Sequence, residues 1–216
     1  MDQINNLVKL AQKLDQLGLA TIGPGKGSCS LRDTKTGTIF ITPSGKDYSE
    51  LNQNNIVSVT LEGKPSTTGK PSADLIFHTA IYRARPEITA IIHLHAPYST
   101  AFAVLQKPIP LSMQAVANII GTEIPVSKFA LPGTDELGQN IVDAMAGHIN
   151  AILMANHGLI TCAKNLEECL SIAVNIELAA KVTYIASQMG TPVELTKEQV
   201  NSARGFYAER FFSSEK

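Results

Sequence analysis

Ile91-Ile92-His93-Leu94-His95, followed at once by Ala96-Pro97, is the stretch on which the reading of this chain turns. In a strand, side chains two apart share a face, so His93 and His95 point one way while Ile92 and Leu94 point the other. The apolar run before them, and the proline that closes it, describe a buried strand that delivers two imidazoles to a pocket at its end. Taken alone, such a pair is either half of a metal site or two core histidines.

The chain has 216 residues and no Ser/Gly-rich linker or charge block, which predicts one domain over 1–216. Its formal net charge is -1, with Lys and Arg scattered. That leaves no electrostatic footprint for nucleic acid, and small-molecule chemistry is the expectation. Cys29, Cys162 and Cys169 are odd in number and form no C-x-x-C pair. They fit a reducing cytoplasm better than a disulfide framework or a thiolate zinc site. With no basic leader and no uninterrupted uncharged apolar run of membrane-spanning length, the sequence is read as soluble, cytoplasmic and without a membrane partner.

Outward from the histidine strand, apolar residues spaced by three and four from Ile4 to Leu17 predict an amphipathic helix over 3–17, stopped by Gly18. The glycine-rich stretch 23–28 leads into a strand over 28–32, and Asp33–Gly37 turns the chain into a second strand over 38–42. Thr42-Pro43-Ser44-Gly45-Lys46 offers a hydroxyl, exposed backbone N–H groups and a positive charge. Such a turn holds a phosphate or merely reverses the chain, and the glycine loop before it is open to the same two readings. Lys26 and Lys46 either add positive charge to an anion site or are solvated surface lysines, and the second reading is preferred. A strand over 56–61 follows, then a helix with Ser72 as N-cap and Asp74 in its first turn, ending before Pro86.

Past the histidine pair, helices are predicted over 98–105 and from Pro132–Glu136 to Met145, with a turn and short strand over 121–127 between them. An apolar strand over 151–155 then delivers Asn156-His157-Gly158, a third histidine at a strand end beside a glycine that permits close backbone approach. A strand over 159–163 follows. Asn165–Glu168 reads as a capping box opening a helix to Met189, and Thr196 caps a last helix. His78 and His148 are read as incidental. The first hairpin and the strands around His157 look antiparallel, so the expected fold is α/β, a three-layer α/β/α domain with a mixed, largely antiparallel central sheet.

Four motifs in order, Ile-Thr-Pro-Ser-Gly at 41–45, Lys-Pro-Ser-Ala-Asp at 70–74, His-x-His at 93–95 and Asn-His-Gly-Leu at 156–159, resemble the class II zinc-dependent sugar-phosphate aldolase and epimerase family, which also includes the adducin head domain. The resemblance covers roughly residues 5–190. It implies a Zn2+ ion, or Mn2+ or another divalent ion in its place, on His93, His95 and His157. It puts an acid/base carboxylate on Asp74, whose proton transfer a pKa raised by partial burial would help. The phosphate of a small sugar substrate falls on Gly27, Ser28, Ser44, Gly45 and Ser72. It further implies a homo-oligomer, commonly a tetramer, and cleavage of a ketose phosphate through a metal-stabilised enediolate. The alternatives are 4-epimerisation, dehydration, decarboxylation of an oxo-acid phosphate, and a non-catalytic adducin-like assembly module. Asp74 stands where the family's aldolases carry Glu, Ser28 and Ala73 where many carry Asn and Ser, and Gln114 about where one has a tyrosine supplied across a subunit contact. Tyr207 is the substitute candidate for that proton donor.

Overall fold

The computed structural model describes residues 2–20, 26–145 and 149–212, the last six of these for the backbone only. Among them, strands β1 (Ser28–Arg32), β2 (Ile39–Ile41), β3 (Val57–Val59), β4 (Ala90–Leu94), β5 (Val126–Ser127), β6 (Ala151–Met154) and β7 (Gly158–Ala163) form one sheet. The order across it is β3-β2-β1-β4-β7-β6-β5, and only β5 with β6 is parallel. The expected strands are present: 28–32 keeps its bounds, 38–42 contracts to Ile39–Ile41 and 56–61 to Val57–Val59, and 159–163 gains Gly158.

Strands β4, β6 and β7 are buried along their whole length, so both faces of the sheet are apolar and both need covering. One face carries Cys29, Ile92, Leu94, Leu153 and Leu159 and packs on α1 (Asp2–Gln16), α3 (Pro97–Val104), α4 (Gln114–Ile119) and α6 (Leu166–Met189), with Val200 of α7 (Lys197–Phe212). The other carries Ile39, Ile41, Ile91, Ile152 and Ile160 and packs on Phe77, Ile81 and Tyr82 of α2 (Leu75–Ala84) and Leu137 and Ile141 of α5 (Asp135–Ala144). This is the three-layer α/β/α arrangement read from the sequence. All three thiols are buried, and burial pushes Cys29 and Cys162 up to about 12. They are therefore protonated and unreactive at neutral pH.

Helix α6 is apolar and long enough to cross a membrane by composition, but it lays Cys169, Ile172, Ala173, Ile176 and Ala180 against the sheet. Asn165 opens it by accepting from Glu168 N at 2.8 Å. Its one buried carboxylate, Glu177, accepts the backbone N–H of Tyr98 at 2.8 Å and of Ser99 at 2.9 Å. Those are donors that the first turn of α3 leaves without intrahelical partners. Pro97 at the start of α3 supplies no N–H, so the residues directly after His95 are fixed by one acid from the neighbouring helix.

Replacing Glu177 by Ala should cost about 3 kcal/mol of unfolding free energy, because two buried N–H groups lose a charged acceptor. Gln, which retains one carbonyl oxygen, should cost less than half of that in urea denaturation. Equal losses in the two variants would contradict the capping role.

Candidate metal centre and catalytic cavity

The histidines meet where β4 ends. His93 is the last strand residue but one, fully buried, paired across β1 with Ser28 and across β7 with Ile160. His95 follows the strand, and His157 sits in the turn from β6 to β7. That turn needs Asn156 in the left-handed region, φ 56°, and it is tied to α3 by Asn156 N donating to Ala103 O at 3.0 Å and Gln106 donating to Asn156 Oδ1 at 2.9 Å. Two glycines press against the end of β4. A Cβ on Gly158 would lie 2.3 Å from Leu94 O and 3.2 Å from His93 Cε1. One on Gly27, whose φ is +93°, would lie 2.1 Å from His93 O.

The candidate ligand nitrogens of His93, His95 and His157 all lie within 4.8 Å of one another. His93 Nδ1 is 3.0 Å from the carbonyl of Leu159, which only accepts, so Nδ1 carries the proton and Nε2 presents a lone pair. That Nε2 stands 3.0 Å from His95 Nε2, close to the roughly 3.3 Å spacing of two imidazoles on one tetrahedral zinc. Burial, partly opposed by Asp74, lowers His93 to about 3, and burial together with His95 lowers His157. Neutral imidazoles with one nitrogen oriented from behind are the state a divalent ion requires. Three imidazole donors fit that ion and leave it a coordination position for substrate.

Asp74 shares the cavity with His95 and His157. Its environment departs from expectation in two ways. Ser72 does not cap α2: Asp74 occupies that position in helical conformation, with no side-chain cap, and the Ser72 hydroxyl instead accepts from Asp74 N at 3.3 Å and donates to Asp74 Oδ2 at 3.2 Å. Nor is the carboxyl raised. Burial pushes it up, but electrostatic interaction with the imidazoles of His93 and His78, a hydrogen bond from Ser28 and interaction with His157 outweigh that and hold it below the ordinary range.

His78 is far from incidental. Its Nε2 is 2.8 Å from Ser28 Oγ, its Nδ1 2.7 Å from Ser30 Oγ, and Ser30 Oγ is 2.8 Å from the Tyr82 hydroxyl, which donates to Thr89 O at 3.2 Å. A continuous row of buried polar groups therefore runs from Tyr82 to Ser28, which bonds Asp74 in turn. The sequence held a signal for this, since Asp74, His78 and Tyr82 recur every four residues on one helix face.

The cavity holds about 520 Å³, and Gly27, Ser44, Gly45 and Ser72 line it together with Lys26 and Lys46. The two loops that carry them are stitched together by Ser44 N donating to Lys70 O and Ser72 N to Thr42 O, each at 3.0 Å. Ser28 is the exception: it is fully buried behind the wall, its hydroxyl engaged by His78 and Asp74. Lys26 is likewise no solvated surface lysine, being 19% exposed and ion-paired with Asp15 and Asp47. Gln114 faces α7, where it lines a separate hollow with Gln199 and Phe206. The side chain of Tyr207, His148 and the glycine-rich stretch 23–25 lie outside the described residues.

The chain matches the family model described as the class II aldolase and adducin N-terminal domain over residues 5–184. It is 34% identical over 183 residues to the 5-methylthioribulose-1-phosphate/5-deoxyribulose-1-phosphate aldolase of Rhodospirillum rubrum, covering 84% of this chain and 82% of that one. It is 35% identical over 184 residues to the 3-oxo-tetronate 4-phosphate decarboxylase of Pectobacterium atrosepticum, covering 83% and 82%. A solved structure of L-fuculose 1-phosphate aldolase superposes with a TM-score of 0.90 at 34% identity, over 96% of each chain.

Gly158→Ala should cost more than about 2 kcal/mol and abolish stoichiometric metal in the purified protein, since the added methyl overlaps the β4 backbone. Elemental analysis and denaturation check both. For His78, burial lowers the folded pKa to about 4, with Asp74 opposing, against about 6.5 in an unfolded chain. Between those values only the unfolded state binds the proton, so stability is full above about pH 6.5 and lost as pH falls towards 4, by about 3 kcal/mol in all. His78→Gln should flatten that slope by about one proton in denaturation between pH 4.5 and 7. An unchanged slope would refute the buried, neutral assignment.

Proposed function

The chain belongs to the class II aldolase and adducin family, and from that footing we propose that it is a metal-dependent lyase that cleaves a small ketose phosphate by retro-aldol chemistry. The observation that carries the reading is the convergence of His93, His95 and His157 at the wall of a cavity that also presents Asp74 and the serine and glycine loops. Zinc is the ion best matched to three imidazole donors, and it would supply Lewis-acid stabilisation of the charge that develops when the bond beside a carbonyl breaks.

The residues of the chain divide the remaining work. Ser44, Ser72 and the backbone at Gly27 and Gly45 hold the phosphate and so fix the reacting carbons against Asp74. Asp74, ionised at neutral pH, receives a proton from the substrate and returns one to the carbon fragment that keeps the phosphate. The Ser72 and Ser28 hydroxyls orient its carboxylate. His93 and His157 remain neutral and available as ligands.

Decarboxylation of an oxo-acid phosphate is the second reading, supported by the Pectobacterium relative at 35% identity. It uses the same cavity. A non-catalytic assembly module is disfavoured, because a scaffold has no use for three aligned imidazoles and a buried acid. We assign the enzyme to the cytoplasm, in keeping with its three unpaired buried thiols. A homo-oligomer, a tetramer by family resemblance, is supported by the exposed apolar stripe Val174, Leu178, Val182, Ile185 and Met189 along α6.

A panel of ketose phosphates with Zn2+ or Mn2+ should release dihydroxyacetone phosphate and an aldehyde. A product that keeps every carbon, or carbon dioxide instead, would eliminate aldol cleavage. His95→Ala should lower kcat/KM by at least about 10³-fold while circular dichroism stays native. Wild-type turnover in that variant would mean that the metal centre is misassigned.

A further inference from the structure

Lys26 precedes Gly27 at the cavity wall, and its ammonium lies 2.8 Å from Asp47 Oδ2 and 3.1 Å from Asp15 Oδ1 near the end of α1. An ammonium has three N–H donors, and the two carboxylates occupy two of them. Asp47 is itself held, because its other oxygen accepts from Ser49 N at 3.0 Å, so Lys26 is tethered rather than free to wander. Asp47 and Asp74 both line the cavity, and without Lys26 a phosphate dianion there would face two carboxylates with Lys46 as the one lysine among the lining residues. The Ser28 hydroxyl, tied to His78, contributes no donor to the cavity. Lys46 lines the cavity as well, but its side chain is 38% exposed and its one ion pair, to Glu50 at 4.0 Å, is long, so its ammonium is held less firmly than that of Lys26.

We propose that Lys26 is the charged anchor for the substrate's phosphate, held in place by Asp15 and Asp47 with one donor left for a phosphate oxygen, and that it selects phosphorylated sugars over neutral ones. This rests on the reading of the cavity as a sugar-phosphate site. Asp15 keeps hold of the ammonium when Asp47 is neutralised, and the charge of Asp47 is what Lys26 offsets in the cavity.

Two variants separate this role from a structural one, because Lys26→Gln and Asp47→Asn break the same ion pair but only the first removes the cation. On the metal-loaded enzyme, Lys26→Gln should weaken inorganic phosphate, measured by calorimetry or as a competitive inhibitor, by about tenfold or more. It should raise KM for a ketose phosphate by a similar factor, with a much smaller change in kcat. Lys26→Arg should restore most of the binding. Asp47→Asn should bind phosphate as tightly as wild type or more so. Equal weakening in Lys26→Gln and Asp47→Asn, or none in Lys26→Gln, would overturn the anchor. A wild-type enzyme that binds no phosphate and turns over unphosphorylated ketoses equally well would instead overturn the sugar-phosphate reading beneath it.

Discussion

Three imidazoles share one small volume because nothing larger than hydrogen stands on Gly27 and Gly158. The end of β4 is gripped between those two backbones, one arriving with the loop that enters β1 and the other opening β7. The grip sets the depth of His93, brings the Leu159 carbonyl under its Nδ1, and turns His157 back over the strand end. Glu177 then fixes α3, and α3 in turn holds the Asn156 turn, so the centre is braced from two layers of the domain. The antiparallel order of β1, β4 and β7 is what lets residues so distant in the chain meet at one edge of the core.

Charge in the cavity is organised by burial as much as by partners. Imidazoles taken out of water remain neutral and keep lone pairs for a cation, while the carboxylate beside them keeps its charge because hydroxyls and imidazoles surround it. Behind Asp74, the serines of β1 and the aromatic face of α2 replace solvent with a fixed row of hydroxyls. In front of it, the cavity wall mixes a tethered cation with backbone amides. Carboxylates, imidazoles and the serine and glycine loops thus share a cavity of about 520 Å³.

Much of this was legible in the residues. The period of two across 91–95 put both histidines on one face, and the Asn-His-Gly triplet put a third histidine at a second strand end. The loops at 42–46 and 70–74 were readable because glycine and serine are the residue types that leave N–H and O–H groups available. What pattern did not supply was partnership across the fold. Ser28 and Ser30 alternate correctly onto the α2 face, but nothing local says that a histidine and a tyrosine await them there. Ser72 has the composition of a cap, yet the turn it makes with Asp74 starts the helix later. The company of Lys26 depends on Asp15 and Asp47, which come together only after α1 and the β2 loop have docked.

The topology that assembles the centre also dictates when it exists. The bond from His93 to Leu159 spans 66 residues, and β4 finds its neighbours in strands from either end of the chain, so the loop-closure entropy has to be met before any ligand nitrogen faces another. Hairpins β1–β2 and β6–β7 assemble from local sequence; the zipper of β4 between them is the slow, long-range event. Coordination is therefore a late readout of folding rather than its seed, and a nascent chain holds no organised cation site until the middle of its sheet has closed.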